Sequence, residues 1–151
     1  MFSLIITIIS IALVAALAIA TIYYGGSAFT QGTAKANAAA IVSAAQQIAG
    51  ANSLYQNDNS GTRATYSVIT TAANGYMAGP PNLPAGASLS AIDTTTGYIT
   101  GAIPTAAKTV CLAVNAAAGN TAGAAAVPAA DSTAYTFSCS GTGPYVFTFH
   151  G

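Results

Sequence analysis

The side chains that could carry out acid–base, nucleophilic or metal chemistry are few in this chain of 151 residues. It has one histidine, His150, two cysteines, no glutamate and three aspartates, which are Asp58, Asp93 and Asp131. A catalytic base or nucleophile needs a partner within hydrogen-bond reach, and the aspartates are scattered along the sequence. The sequence therefore predicts a protein that is not an enzyme and has no catalytic residues.

Two places in the chain invite comparison with metal sites. His150 stands next to Gly151 with no Cys, Asp or Glu close to it in sequence, which favours a surface or strand-end histidine over a metal ligand. Residues 57–61, Asn-Asp-Asn-Ser-Gly, are faintly similar to a calcium loop, but they offer one carboxylate and no acidic residue closes the loop. We interpret this segment as a turn. The sequence predicts no metal and no cofactor.

The two cysteines, Cys111 and Cys139, are either buried free thiols or one disulfide. The polar part of the composition is Ser, Thr, Asn, Gln and Gly, which is typical of an extracytoplasmic surface protein. Disulfides persist in such compartments, so we expect the two cysteines to be bridged. A bridge over a loop of this size contributes about 3–4 kcal/mol in the loop-entropy description.

The charge content is unusually low. Only 4% of the residues are charged and the formal net charge is zero, against about 25% charged residues in an average soluble protein. Such a chain has little colloidal repulsion and tends to associate. It has no basic stripe that could bind phosphates, so no nucleic-acid partner is indicated.

The N-terminal segment is apolar throughout. Residues 1–23 contain no charge, and the first charged side chain is Lys35. About 20 apolar residues suffice to cross a bilayer as a helix. A secretory signal peptide is the alternative, but no Lys or Arg precedes the apolar run. We therefore expect residues 1–26 to be a helix that is buried either in a membrane or among other copies of itself.

The helical pattern continues beyond Gly25 and Gly26, which we predict to be a kink because glycine weakens a helix. Residues 27–56 are amphipathic, with apolar side chains at steps of three and four. One face of this part is expected to pack on a sheet. The side chains predicted to make that contact are Ile41, Ala45, Ile48 and Tyr55.

The rest of the chain predicts a small domain. Residues 57–96 read as a connecting loop region with one short helix near 66–73, and residues 97–151 as an antiparallel sheet with a disulfide loop. The predicted strands are 98–103, 109–114, 134–138 and 145–150, with a low-complexity surface loop over 115–133. The predicted fold class is α+β, with a long N-terminal helix whose amphipathic half packs on the sheet.

This order of elements resembles that of the type IV pilins over the whole chain. The resemblance is to the type IVb branch, which has an N-terminal Met in the mature chain and a long connecting loop. Gln46-Gln47-Ile48, followed by Ala51 and Tyr55 and then TYSVITTAANGYMAGPPNLPAG, is similar to sequences of that branch.

The resemblance implies the structural subunit of an extracellular surface filament, or fimbrium. Its partners would be other copies of itself, the inner membrane before assembly, a prepilin peptidase and the pilus assembly machinery. Filaments of this family serve adhesion, motility, conjugation, phage reception and DNA uptake. The residues expected in the filament core or in assembly are Met1, Phe2, Ile5, Thr7, Ala12, Ala15, Ala16 and Ala20.

The chain departs from the family at two positions. Ile5 stands where pilins usually have a glutamate that pairs with the N-terminal amine of a neighbour, and the proline that many pilins carry near residue 22 is missing. The first departure is known in some minor tip pilins and in archaeal relatives and leaves both open, although the cysteine pair and the lack of an Asn-x-Ser/Thr sequon weaken the archaeal alternative. A secretion-system pseudopilin is a further alternative within the family. An alternative of another class is a single-pass anchored binding module that does not polymerise.

Overall fold

The computed structural model describes residues 2–151, apart from the side chain of Ala85. Met1, which the sequence assigns to assembly, lies outside the described residues. The helices are α1 (Phe2–Asp58), α2 (Tyr66–Thr70), α3 (Lys108–Ala117) and α4 (Thr121–Ala125). The strands are β1 (Ser88–Ile92), β2 (Ile99–Ile103), β3 (Phe137–Ser140) and β4 (Tyr145–Phe149). The α+β fold class is confirmed.

Helix α1 is a single element of 57 residues that passes through Gly25 and Gly26 without interruption. The chain divides into two compact units, one comprising residues 1–33 and the other Ala34–Gly151. The described residues of the first unit, 2–33, are therefore helix alone, and the second unit contains the rest of α1 and the sheet. That the helix loosens at the glycine pair stays a prediction.

The sheet of the second unit is antiparallel throughout, with the strand order β1-β2-β4-β3. One face carries the aromatic and branched side chains of alternating positions, among them Ile99, Phe147 and Phe149, all of them buried. Gly101 occupies the position beside Phe147, where an added Cβ would lie 2.2 Å from the carbonyl oxygen of Ser88. Only glycine therefore lets β1 approach β2 at this point.

The second part of α1 supplies the opposite wall of the core. Ile41, Ala45 and Ile48 are at most 1% exposed and belong to the same buried cluster as the apolar face of the sheet. Tyr55 is half-buried against this cluster and packs edge-on with Tyr76 at 5.3 Å between ring centroids. The three- and four-residue spacing of these positions places them on one side of the helix.

Helix α1 ends within the turn segment of residues 57–61. The N–H of Gly61 donates to the carbonyl of Gln56 at 2.7 Å, with Ser60 and Gly61 in the left-handed region. This 6→1 bond is the usual way a helix C-terminus satisfies its last carbonyls. Asp58 accepts a hydrogen bond from the hydroxyl of Tyr76 at 3.0 Å.

Two predictions for the second half of the chain were wrong. Residues 109–114 were predicted as a strand but lie in α3, whose buried positions Val110, Cys111 and Val114 follow helical spacing. The 115–133 segment was predicted as loop, yet it contains the end of α3 and all of α4. The β-branched residues of 109–114 favour a strand locally, but packing on the sheet selects the helix.

The sheet also differs in its strands from the prediction. Strand β1 lies within the region predicted as a connecting loop, and β3 begins three residues later than the predicted 134–138 strand. The register of β1 shifts between Leu89 and Ala91, so Ser90 forms a bulge. Such a bulge breaks the alternation of apolar and polar residues by which a strand is identified.

Candidate functional site

The first unit presents the largest apolar surface of the molecule. None of the side chains of residues 2–33 is buried, and the exposed fractions include 85% for Phe2 and 53% for Ile5. Helix α1 is long and apolar enough to cross a membrane, by length and composition. Isolated apolar side chains are common on protein surfaces, but a continuous apolar segment of this size requires a covering partner.

Three hydroxyl side chains within the apolar run bond to the backbone of the helix itself. The hydroxyls of Thr7, Ser10 and Thr21 donate to the carbonyls of Leu4, Ile6 and Ala18, at 2.8, 2.6 and 2.9 Å. The same bonding continues at Ser27, Thr30 and Thr33. Hydroxyls that bond to the backbone of their own helix can enter an apolar surrounding without becoming unpaired donors.

The predicted assembly alanines share one side of the helix. Counted from Ala12, the alanines Ala15, Ala16 and Ala20 lie three, four and eight residues further on, which places all four along a single face. All four are exposed, so a second helix could approach closely there. That these residues form a filament core stays a prediction.

Two aromatic side chains close the apolar run. Tyr23 and Tyr24 are exposed and pack edge-on at 5.7 Å between ring centroids. Immediately after them come Gly25, Gly26 and Ser27. Tyrosine is enriched where membrane-spanning segments meet the water interface, so this pair marks the natural end of the apolar segment.

Cys111 of α3 and Cys139 of β3 form a disulfide with their Cα atoms 5.5 Å apart. The disulfide prediction is confirmed, although Cys111 lies on a helix and not on or beside a strand. Both cysteines are fully buried. The bridge therefore joins α3 to the sheet inside the core.

Asn115 strengthens the same junction. Its side-chain oxygen accepts from the N–H of Cys139 at 2.8 Å, and its amide donates to the carbonyl of Cys139 at 2.9 Å and to that of Gly123 at 3.1 Å. The side chain thus pairs with the outer edge of β3 as a neighbouring strand would. This role was not predicted, because the sequence carries no signal for it beyond an Asn four residues after Cys111.

The fold brings His150 to Asp131, although they are 19 residues apart. Nε2 of His150 lies 2.9 Å from Oδ2 of Asp131, and Nδ1 lies 2.6 Å from the carbonyl oxygen of Tyr135. The ring packs edge-on against Tyr98 and its side chain is 6% exposed. Of the two interpretations of His150, the strand-end one agrees with its position directly after β4, whereas the surface one is wrong, because the 127–136 loop folds back over the end of β4.

Asp131 is the centre of this cluster. Burial acts to raise the pKa of its carboxyl, but the hydrogen bonds from Ser138 and His150 and the charge of His150 outweigh it, so the pKa lies below its ordinary value. The hydroxyl of Ser138 is buried and bonded to Asp131 instead of to the histidine. The cluster therefore fastens the 127–136 loop to β3 and to the end of β4.

Within residues 2–151 no group of three His, Cys, Asp or Glu side chains is placed to bind a metal ion. Comparison with protein-family models, with curated proteins and with solved structures finds no match to this chain. The functional interpretation therefore depends on the surfaces of the molecule itself.

Proposed function

We propose that this protein is the structural subunit of a type IV pilus-like extracellular filament, polymerising through residues 2–33 of α1. The observation that carries the proposal is that this segment is helical, free of charge and unburied, while the remainder of α1 is fixed in the core of a folded domain. A filament with an apolar centre would cover this helix. The folded domain would form its exterior and face water.

The proposed subunit has two successive surroundings. Residues 2–22 first lie in the inner membrane, and assembly then transfers them into a bundle of identical helices. Lipid and neighbouring helices are similarly apolar, so close packing of small residues must supply the preference for the bundle. The exposed face of Ala12, Ala15, Ala16 and Ala20 provides such a surface.

The absence of a carboxylate near the N-terminus shapes this assembly. Ile5 is 53% exposed, and the first acidic residue of the chain is Asp58. Burying an unpaired ammonium costs several kcal/mol. We propose that main-chain carbonyls and the hydroxyls near the N-terminus, such as that of Thr7, receive the amine in the filament.

Electron microscopy of material sheared from cells tests the proposal. Filaments that contain this chain are expected. Replacing Ala15 with Asp should abolish them, because it places an unpaired charge in the apolar bundle. Ala116→Asp is the matched control, since it adds the same charge at an exposed position of α3 and should leave filaments unchanged.

The outcomes separate the candidate functions. Short periplasmic fibres instead of surface filaments would favour a secretion-system pseudopilin, and localisation at filament tips would favour a minor pilin. Membrane-bound protein with no filaments at all would favour the anchored binding module. Normal filament yield from Ala15→Asp would exclude a role for this face in the core.

A further inference from the structure

A small polar cavity lies between helix α1 and the turn that joins β1 to β2. Its volume is about 140 Å³, and every residue that borders it belongs to the second unit. The polar side chains of its lining are Asn52, Ser53, Gln56 and Arg63. Arg63 is the one charged side chain among the lining residues, so the side chains bring a single positive charge to the cavity.

The guanidinium of Arg63 is held by the turn between β1 and β2. Its Nη1 donates to the carbonyl of Thr95 at 2.7 Å. A Cβ added at Gly97 would lie 2.9 Å from Nε of Arg63, so the side chain packs closely on the turn. Arginine carries five N–H donors, and the bond to Thr95 is the one that its guanidinium makes within residues 2–151. Most of the donors are therefore left for a ligand or for water.

No acidic group neutralises Arg63 within the described part of the chain, where the one ion pair joins Asp131 to His150. The acid of the adjoining turn is Asp93, and its carboxylate accepts the N–H groups of Thr95 and Thr96 at 2.7 and 3.3 Å. Gly151 also borders the cavity but forms no ion pair with Arg63. The positive charge of the cavity is thus left without a partner.

Asn52 adds a second donor to the cavity. The residue is only 5% exposed, and its Oδ1 accepts from the N–H of Ala64 at 3.0 Å, which fixes the orientation of the amide. Its Nδ2 makes no hydrogen bond to the rest of residues 2–151. Since no buried side-chain donor of these residues lacks a partner, Nδ2 must reach the surface, and Asn52 borders the cavity. A deeply buried side chain with an unpartnered donor indicates a place for an acceptor.

We propose that this cavity binds the carboxylate group of a small monocarboxylate ligand. An ionised carboxylate only accepts hydrogen bonds, and its planar shape lets it take two parallel N–H bonds from a guanidinium. One positive charge balances one carboxylate, whereas a phosphate dianion would retain an unpaired charge. Because Ser53 is exposed, the cavity opens to the surface and the rest of the ligand can extend into water. The inference does not depend on filament formation, since the cavity lies wholly within the folded second unit.

Nuclear magnetic resonance of the isotope-labelled full chain in detergent tests the proposal. Titration with acetate, at constant ionic strength, should shift the side-chain N–H signals of Arg63 and Asn52 and saturate in the millimolar range, since one partly exposed guanidinium carries most of the attraction. Acetamide has the same shape without the charge and should leave both signals in place. The absence of a saturable shift with acetate, equal shifts with acetamide, or tighter binding of inorganic phosphate would each overturn the proposal.

Two variants and a matched control locate the site. Asn52→Asp keeps the oxygen that accepts from Ala64 but replaces the Nδ2 donor with a carboxylate oxygen, so the affinity for acetate should fall about tenfold or more. Asn82→Asp adds the same charge at an exposed position outside the cavity and should not alter the affinity. Arg63→Lys keeps the positive charge but loses the parallel pair of N–H groups, so it should bind acetate several-fold more weakly.

Circular dichroism checks that each variant is folded. Unchanged affinity in Asn52→Asp, or an equal loss in Asn82→Asp, would contradict the site. If Asn52→Asp does not fold, Arg63→Lys decides, and an affinity equal to that of the wild type would contradict the paired N–H contact.

Glucuronate distinguishes two sources of the carboxylate. Tighter binding of glucuronate than of acetate would support a carboxylate carried on a sugar. Equal or weaker binding of glucuronate, with acetate still bound, would support a free short-chain acid.

Discussion

The histidine cluster shows what single residues contribute to this domain. Asp131 reaches both Ser138 on β3 and His150 after β4, so one carboxylate fastens a loop to two strands. The two ring nitrogens of His150 lie within hydrogen-bond distance of two oxygen atoms, Oδ2 of Asp131 and the carbonyl oxygen of Tyr135. The loop over 127–136 is therefore held by charge-assisted bonds in a chain that has very few charges.

Replacing Asp131 measures this contribution. Asp131→Ala is expected to lower the free energy of unfolding by about 1–2 kcal/mol, because it leaves the buried Ser138 hydroxyl without its acceptor, with allowance for the solvent exposure of the carboxylate. Asp131→Asn keeps an acceptor oxygen and should cost less. Urea unfolding of the full chain in detergent, followed by near-ultraviolet circular dichroism, makes the measurement. Equal stability of all three proteins would show that the cluster does not hold the domain.

The wild type and Asp131→Asn should also differ in how their free energy of unfolding changes with acid. The pKa of the Asp131 carboxyl is lowered in the folded protein, so its stabilising contribution is fully present above the ordinary aspartate pKa of about 4 and is lost as the pH falls further. The stability gap between the wild type and Asp131→Asn should therefore narrow below about pH 4. A gap that stays constant down to pH 2 would contradict the assignment.

Of the residues in this cluster, none could be predicted as partners from the sequence. Asp131 is separated from His150 by a loop and a hairpin, and that distance in sequence carries no local signal. The disulfide was predictable because the chain has only two cysteines, which can pair only with each other, and its composition is typical of proteins outside the cytoplasm, where disulfides persist. Asn115 was not, because a buried amide is recognised only by the backbone that it pairs with.

Among the elements, helix α1 changes most clearly along its length, from an apolar first segment to an amphipathic second one. Residues 2–22 form 21 helical positions, a length of about 31 Å at 1.5 Å per residue, which matches the hydrocarbon thickness of a bilayer, about 30 Å. Tyr23 and Tyr24 follow at once. If this segment spans the membrane before assembly, the tyrosine pair should lie at the interface and Leu13 near the bilayer centre.

Single tryptophans test that depth, since the chain contains none of its own. In vesicles, Leu13→Trp of the full chain should be quenched most by bromine atoms deep in the lipid chains, and Tyr24→Trp most by bromine near the headgroups. The tryptophan at position 24 is a matched aromatic replacement. Equal quenching of both positions by shallow bromine would place α1 flat on the surface.

The elements of the second half show where a local pattern is insufficient. The long helix was predictable because its apolar periodicity extends over many turns. Helix α3 was not, since Thr109 and Val110 favour a strand as isolated residues while Cys111 and Val114 are buried with helical spacing. Strand β1 was concealed by the bulge at Ser90, which places Leu89 and Ile92 out of alternation.

On the scale of the whole molecule, the division of polarity is the dominant feature. The six charged side chains all lie beyond Thr33, and the exposed apolar side chains lie almost entirely before it. An exterior with so few charges repels its neighbours weakly. If the proposed filaments form, we expect them to associate laterally, which electron microscopy of the sheared material can check.

The Cys111–Cys139 bridge lies within a single tryptic peptide of the chain. Trypsin cuts after basic residues, and the chain has three, Lys35, Arg63 and Lys108. Lys35 lies within α1, Arg63 bonds to the carbonyl of Thr95, and Lys108 begins α3. Since cleavage requires local unfolding, the folded subunit should resist trypsin, as mass spectrometry of the digest can verify. Once unfolded, it should yield four peptides, and both cysteines fall in the last, residues 109–151. Reduction should therefore change the mass of one peptide without releasing another.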